Sequence, residues 1–354
     1  MKRELKKFYQ GKKVFITGHT GFKGAWLCQI LLNFGATVSG YALLPEGKES
    51  LFNICSIDKE IDSHIGDIRD FNNMKKVIDE FQPDLLIHMA AQPLVRESFI
   101  HPKETYEINV MGTVNILECI KDSEIKSFLN VTTDKVYKNK EWVWGYRENE
   151  ELNGLDPYSN SKSCSELVTQ SYKEAFFKDK RTAISTMRAG NVIGGGDFAK
   201  DRIIPDCVRA VAIGEDIIVR NPYSTRPYQH VMEPLMGYLL LMKEQYEDIE
   251  KQGYYNIGPD ERECVTTGEL VTLFCDYWNE KSGGNIRWIN KHDGGPHEAN
   301  FLKLDCSYFK SRFHWNPQWD IKKAVEKTTE WYYLYLANKN MRDVTDRQIL
   351  EFLG

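Results

Sequence analysis

The sequence predicts an α/β fold, a doubly wound parallel sheet followed by a smaller C-terminal lobe, and three observations carry this. Short β-prone runs alternate with helix-period patterns from Lys13 to Arg188, as a parallel sheet with crossover helices requires. The first run, Lys13-Val14-Phe15-Ile16-Thr17, meets the turn Gly18-His19-Thr20-Gly21-Phe22-Lys23-Gly24, which opens the helix pattern Trp26, Leu27, Ile30, Leu31, Phe34. Beyond Arg188 the alternation breaks. At 354 residues the chain is long for one core. Residues 1–188, rejoined by 231–258, read as a dinucleotide-binding domain, and 189–230 with 259–354 mainly as a substrate-binding lobe.

Strand, glycine turn and helix stand in the order a dinucleotide site needs. Glycines let the backbone turn tightly and approach a pyrophosphate, which then rests on helix N–H groups and the positive end of the helix dipole. The spacing is Gly-x-x-Gly-x-x-Gly, and Gly18, Thr20, Gly21, Phe22, Lys23 and Gly24 are the candidate contacts. The second strand, Thr37 to Leu43, ends with neither the acidic residue that binds an NAD ribose nor an arginine for a 2′-phosphate, so it leaves NAD and NADP open. A third strand, Ile61 to Gly66, leads to Asp67-Ile68-Arg69-Asp70 and a helix over Phe71 to Phe81. Asp67 is placed to meet an adenine amino group, with a plain turn aspartate as the equal alternative. A fourth strand, Asp84 to His88, ends in Met89-Ala90-Ala91-Gln92, whose small residues suit close approach to a cofactor. Lys103 to Lys121 reads as a long helix and Ser127 to Val131 as the fifth strand.

That strand delivers Thr132-Thr133-Asp134-Lys135-Val136-Tyr137 to the carboxyl end of the sheet, where ligands gather in open α/β folds. Then comes Asp156-Pro157-Tyr158-Ser159-Asn160-Ser161-Lys162. Asp156 suits an N-cap and Pro157 the first helical position, so Tyr158 and Lys162 share one face of a helix running to about Phe177. A lysine beside a tyrosine favours the phenolate, which can take a proton from a sugar or alcohol hydroxyl. By itself such a pair is more often plain surface; the glycine turn and the Thr133-Asp134 exit weigh against that. Arg181 to Met187 makes a further strand, and Gly190-Asn191-Val192-Ile193-Gly194-Gly195-Gly196-Asp197 reads as a flexible segment. Arg202, Arg209, Arg220 and Arg226 follow at a spacing that suits a phosphate clamp. Helical patterns at Met232 to Tyr246, Leu270 to Trp278 and Ile321 to Tyr335, a strand at Tyr254 to Ile257 and a loop at Gly294 to Glu298 complete the chain.

A net charge of −5 points away from nucleic acid or an anionic membrane as the main partner. No apolar run approaches the roughly 20 residues that span a bilayer, and the basic start Met1 to Lys7 lacks the apolar segment of a signal peptide. The expectation is a soluble, cytoplasmic protein. Eight cysteines without a Cys-x-x-Cys pair point to reduced thiols and no metal site.

Assembled, these pieces resemble the extended short-chain dehydrogenase/reductase superfamily, a Rossmann-type fold, and within it the sugar-nucleotide 4,6-dehydratases. The superfamily likeness rests on Gly18, Gly21, Gly24, Thr133, Tyr158 and Lys162. The narrower one adds the whole glycine turn, Ala90-Ala91-Gln92-Pro93-Leu94-Val95-Arg96, the Thr132 to Tyr137 and Asp156 to Lys162 stretches, Arg188 to Asp197 and Arg226-Pro227-Tyr228-Gln229-His230-Val231. It runs from Gly11 to about Trp319. The resemblance implies bound NAD, a CDP-sugar substrate, a homodimer packed through the helices near 103–121 and 157–177, and a part in making deoxysugars for surface polysaccharide such as lipopolysaccharide O-antigen.

It also implies roles. Tyr158, lowered in pKa by Lys162 and the nicotinamide charge, takes the proton of the sugar 4-hydroxyl, to which Thr133 hydrogen-bonds, as hydride leaves C4. Asp134 is the acid for the departing 6-hydroxyl. Lys135 stands where many relatives carry glutamate, and the expectation is an amine lowered in pKa by burial that helps remove the C5 proton. Asp67, Ile68, Ala90, Ala91, Gln92, Tyr158 and Lys162 join the cofactor contacts; Gln92, Asn191, Arg202, Arg220, Arg226 and His297 are the substrate contacts. The rivals are a dehydratase of another nucleotide sugar, a sugar-nucleotide 4-epimerase, which has no use for Asp134-Lys135, and a non-catalytic dinucleotide-binding protein, which has little reason to keep Tyr158, Lys162, Thr133 and Asp134 together.

Overall fold

The computed structural model describes residues 2–45, 47, 49–291 and 301–354. Seven strands, β1 (Lys13–Thr17), β2 (Thr37–Ala42), β3 (Asp62–Ile65), β4 (Leu85–His88), β5 (Ser127–Thr133), β6 (Ala183–Ala189) and β7 (Tyr254–Ile257), make the main sheet. They pair in parallel in the order β7-β6-β5-β4-β1-β2-β3. The direction of winding reverses between β1 and β4, which leaves a crevice at their carboxyl ends. Alternation along β1 sends Val14 and Ile16 to one face and Phe15 to the other, so an apolar core forms on each side. β5 runs two residues further than expected because Thr132 and Thr133 stay in register with Arg188 and Ala189 of β6.

Helix α1 (Lys2–Tyr9) stands where the sequence showed only a basic lead; Leu5 and Tyr9 bury one side of it, and the Tyr9 hydroxyl donates to the Leu239 carbonyl at 2.8 Å. Helices α2 (Phe22–Asn33) and α3 (Phe71–Phe81) flank the sheet, the second capped by Asp70, which accepts from the Asn73 N–H. The expected long helix is made of Pro102–Tyr106 and Gly112–Ile120 joined by a π-turn, Glu107–Met111. Helix α4 (Pro157–Tyr172) starts as expected, with Asp156 accepting from the Ser159 N–H at 2.9 Å. Helix α5 (Met232–Glu247) carries the chain back toward β7. Helices α6 (Thr267–Ser282), α7 (Ile321–Leu336) and α8 (Met341–Leu353), with a shorter one at Ser307–Phe313, make up much of the later chain.

The segment from Gly190 to Asp197 is packed, not flexible. Val192–Ile193 pairs with Gln229–His230, and the Trp26 indole donates to the Gly195 carbonyl at 2.9 Å. A Cβ on Gly195 would lie 2.0 Å from the Trp331 ring, so its glycine serves close packing. The expected loop from Gly294 to Glu298 lies outside the described residues. Among the described residues no helix is long and apolar enough to cross a membrane, and all eight cysteines are free thiols.

His19, His88 and His230 are buried, and burial lowers each from 6.5, to about 4, about 3 and about 3 respectively. They are neutral in the fold and must take up protons on unfolding, so between those values and pH 6.5 the unfolded chain binds more protons. Their contribution is complete above about pH 6.5 and is lost on acidification, at about 1.4 kcal/mol per pH unit for each histidine. Denaturant unfolding at about pH 7.5 and about pH 5 checks this; equal free energies at the two would contradict neutral burial.

Candidate active site

The glycine turn stands at the crevice where β1 and β4 end side by side. Gly18 has φ +79°, and a Cβ there would sit 2.8 Å from the Ala90 amide nitrogen; one on Gly24 would meet the Gly18 carbonyl oxygen at 2.2 Å. Gly21 is exposed and N-caps α2 with no side-chain cap bond. A smooth backbone cradle therefore faces helix N–H groups that lack a side-chain acceptor, and a dinucleotide pyrophosphate fits it. Thr20 turns away to donate to the Leu43 carbonyl at 2.8 Å, and Phe22 packs against the core. Lys23 turns inward, its Nζ donating to the Tyr238 hydroxyl at 3.1 Å.

Across the crevice the Thr17 hydroxyl accepts from the amides of Met89 and Ala90 at 3.1 and 3.2 Å, which sets the Ala90-Ala91 loop against the turn. Gln92, expected at the sugar or phosphate, is engaged by neighbouring groups of the protein. Its side-chain amide donates to Thr105 at 2.9 Å and its side-chain oxygen accepts from the Leu94 N–H at 2.5 Å, so both ends hold the loop. Asp67 is likewise engaged, accepting from the Arg69 N–H at 2.8 Å and its guanidinium at 2.6 Å; those hydrogen bonds from Arg69 hold its carboxyl below the usual range. Ile68 is buried under Gly112, where a Cβ would come within 2.3 Å of it.

Helix α4 brings Tyr158 and Lys162 to the end of β5, and both are buried. Burial pushes the Tyr158 phenol up to about 12, opposed by a hydrogen bond with Thr133 and the Arg202 charge. The expected lowering by Lys162 is thus absent from the protein by itself: desolvation outweighs it, and Lys162 donates to the Val131 carbonyl at 3.2 Å. Burial brings Lys162 down to about 8, with the Glu166 carboxylate opposing.

Asp134 is fully buried, and its Oδ1 accepts from Thr133 at 2.9 Å and from Lys135 Nζ at 3.0 Å. Oδ2 has no partner among the described residues. Lys135 also lies 3.5 Å from Asn191 Oδ1, and its side chain keeps 27% exposure. The expected burial of Lys135 is therefore not found; the ammonium is ion-paired and reaches solvent. Of the arginines, Arg202 pairs with Asp197 at 2.9 Å, and its charge acts on both Tyr158 and Lys23. Arg220 is turned to Asp201 at 2.7 Å and Asp206 at 3.4 Å. Arg226 is buried and donates to the Thr225 carbonyl at 3.0 Å. His297 lies outside the described residues.

Two groups escaped the sequence reading. Asn109, in the π-turn, accepts from the Gln92 N–H at 2.9 Å and donates to Ser161 of α4 at 2.9 Å, tying the β4 loop to the tyrosine helix. Glu166, one turn beyond Lys162 on the same face, accepts from Thr132, from Thr186 at 2.6 Å and from Arg188 at 2.9 and 3.1 Å. Arg188 continues to the Tyr137 hydroxyl at 2.7 Å, which donates to Asn256 of β7 at 2.7 Å. A carboxylate four residues after Lys162 on a buried face was the available signal.

A phenol held by a threonine hydroxyl beside a buried lysine, at the mouth of a dinucleotide cradle, is equipped to move a proton while hydride leaves a carbinol carbon. On this sheet order it makes the chain an extended short-chain dehydrogenase/reductase. The family model described as GDP-mannose 4,6 dehydratase matches residues 15–328, and the chain belongs to that family. The chain is 45% identical to the CDP-glucose 4,6-dehydratase of Salmonella typhimurium, over 99% of this chain and 98% of that protein. It is 27% identical to the GDP-mannose 4,6-dehydratase of Yersinia enterocolitica, over 74% of this chain and 69% of that one. Among solved structures, the dTDP-glucose 4,6-dehydratase of Bacillus anthracis in complex with NAD aligns with TM-score 0.75 at 20% identity, covering 92% of this chain and 97% of that one. The UDP-glucose 4-epimerase of Thermotoga maritima aligns with TM-score 0.79 at 20% identity, covering 92% and 99%. At those identities the structural likeness concerns the fold.

Glu166→Gln keeps the shape of the side chain but leaves a buried guanidinium without its counter-charge. It should lower the unfolding free energy by about 3–5 kcal/mol, and adding Arg188→Gln should recover part of that. Chemical denaturation of the three proteins checks both; a loss under about 1 kcal/mol in the single variant would contradict the ion-pair account.

Proposed function

We infer that the protein dehydrates CDP-D-glucose to CDP-4-dehydro-6-deoxy-D-glucose, with NAD as its resident cofactor. The observation that carries this is the Asp134–Lys135 pair beside Tyr158, in a chain 45% identical along nearly its whole length to a CDP-glucose 4,6-dehydratase. The Gly18 to Gly24 cradle, the Ala90-Ala91 loop, Tyr158 and Lys162 would hold NAD, which when bound accepts the hydride from sugar C4 and gives it back at C6.

The chain's own groups manage the protons. Tyr158 takes the 4-hydroxyl proton and Thr133 orients that hydroxyl. A phenol raised to about 12 by burial, even with the Arg202 charge opposing, needs further positive charge to ionise near neutrality, and the nicotinamide ring of bound NAD would supply it. The ketone at C4 then acidifies C5–H. Asp134, fed by Lys135, protonates the 6-hydroxyl as it leaves as water. Asn191, Arg202, Arg220 and Arg226 are the proposed contacts to the diphosphate and sugar, within a lobe made of 189–230 and 259–354. An epimerase would have no use for the buried carboxylate of Asp134.

Exposed Phe99, Ile100, Met111 and Leu167 on neighbouring helices support a homodimer across the 103–121 and 157–177 helices. A cytoplasmic enzyme making deoxysugars for surface polysaccharide is the setting that suits a nucleotide-sugar substrate.

Incubation of the purified protein with NAD⁺ and, in parallel, CDP-glucose and UDP-, dTDP- and GDP-sugars tests the reading. The expected result is loss of one water from CDP-glucose; dehydration of a different sugar nucleotide alone would overturn the base, and a product of unchanged mass would overturn the reaction. Tyr158→Phe should lower turnover by about 10²–10⁴-fold. Lys135→Ala should still oxidise C4 but stall before water is lost, so that reduced cofactor accumulates on the protein, read from its near-ultraviolet absorbance.

A further inference from the structure

The loop Met89-Ala90-Ala91-Gln92, which lies against the glycine turn, is held at both ends. Thr17 holds its start: the hydroxyl accepts from the Ala90 N–H at 3.2 Å and from the Met89 N–H at 3.1 Å, an amide that also reaches the Thr17 carbonyl at 3.1 Å. Asn109 holds its end, accepting from the Gln92 N–H at 2.9 Å and donating to the Gln92 carbonyl at 3.1 Å. His88, the residue before the loop, connects the two holders. It is buried, stands opposite Thr17 in the β1–β4 register, and has Nδ1 2.7 Å from the Thr17 hydroxyl. Its Nε2 lies 3.4 Å from the hydroxyl of Thr113, which donates to the Asn109 carbonyl at 2.7 Å.

Proton balance sets the direction of each bond in this network. A hydroxyl has one proton and two lone pairs. Both lone pairs of Thr17 are taken by amides, so its proton goes to Nδ1 of His88. Nδ1 is therefore the acceptor, and the ring carries its proton on Nε2. Nε2 donates to Thr113, whose own proton is committed to Asn109; Ser165, 2.9 Å from Thr113, accepts from the Asn130 amide at 2.9 Å and gives its proton to Thr113. A ring protonated on Nδ1 would aim a third donor at Thr17 and leave a buried hydroxyl proton unmatched. Burial, with the Lys162 charge, keeps the imidazole neutral.

We propose that His88 is a positioning residue for the cofactor: its Nδ1 lone pair orients the Thr17 hydroxyl, which fixes the Met89 and Ala90 amides and so keeps the Ala90-Ala91 backbone at the distance from the glycine turn that a dinucleotide needs. The tolerance there is small, since a Cβ on Gly18 would come within 2.8 Å of the Ala90 amide nitrogen. The inference rests on the cradle holding NAD and is independent of which sugar nucleotide is dehydrated.

The test titrates NAD⁺ by calorimetry into wild type, His88→Asn, His88→Gln, Thr17→Val and the Thr17→Val/His88→Gln double variant, with denaturant unfolding of each in the absence of cofactor. Asn places an oxygen where Nδ1 stands; Gln places its amide near Nε2, so it keeps the link to Thr113 and loses the acceptor for Thr17. His88→Gln should raise Kd for NAD⁺ about tenfold or more. In turnover of CDP-glucose the larger share of its loss should fall in KM for NAD⁺, not in kcat. His88→Asn should recover affinity to within about threefold of wild type. Thr17→Val should weaken binding about as much as His88→Gln, and the double variant no more than Thr17→Val alone. Nitrogen NMR of histidine-labelled wild type should show the ring protonated on Nε2 alone at about pH 7.

Equal weakening by Asn and Gln would make His88 a packing residue and overturns the proposal. So does a double variant whose loss is the product of the two single losses, or a ring protonated on Nδ1. Where His88→Gln does not fold, Thr17→Ser against Thr17→Val reads the same hydroxyl, and equal affinity of those two has the same force. Failure of the wild type to bind NAD⁺ overturns the reading of the cradle itself, an outcome seen before any variant is compared.

Discussion

The buried ion pair between Glu166 and Arg188 is the constraint on which the site depends. One carboxylate fastens α4 to β5 through Thr132 and to β6 through Thr186 and Arg188, directly beneath the residues that carry Tyr158, Lys162 and Thr133. A buried pair costs several kcal/mol in desolvation and is tolerated only when its lone pairs and protons are filled. Both Glu166 oxygens accept hydrogen bonds here, and Arg188 has further acceptors in Tyr137 and the Glu148 carbonyl. What the network contributes is geometry. Through Tyr137 and Asn256 it reaches the carbonyls of Tyr146 and Asp305, so the tyrosine helix is fixed relative to the later part of the chain as well.

Above that floor, desolvation governs the chemistry. The same burial raises the Tyr158 phenol and lowers the Lys162 and Lys23 amines, because in each case it penalises the charged form. Charge neighbours then divide the lysines. Lys135 is paired with Asp134 and keeps contact with solvent, whereas Lys23 is turned inward to the Tyr238 hydroxyl. At Tyr158 the Thr133 hydrogen bond and the Arg202 charge oppose burial without overcoming it.

Much of this was legible in the chain because the signals are local. The run Lys13 to Thr17, the glycine turn and the Phe71–Phe81 helix follow from side-chain period and turn chemistry within a few residues, as does the Asp156 cap that starts α4. The residues that went astray are those whose neighbours lie far off in sequence. That Thr105 and Leu94 engage both ends of Gln92 has no mark in the residues beside it. The Gly190 to Asp197 run was read as flexible since glycine ordinarily is, whereas Trp26 and Trp331 close over it from opposite ends of the chain. The π-turn that places Asn109 leaves no mark on a helical period.

By itself the sequence determined the order of strands and helices, the dinucleotide cradle and the spacing of Tyr158 and Lys162 on one helix face, because each depends on backbone conformation set by adjacent residues. Only the tertiary structure decided the surroundings of the titratable side chains. How far Lys23 and Lys162 are shifted depends on the charges around them and how much water remains, and those surroundings come from β5, α2, α4, α5 and the Arg202 segment.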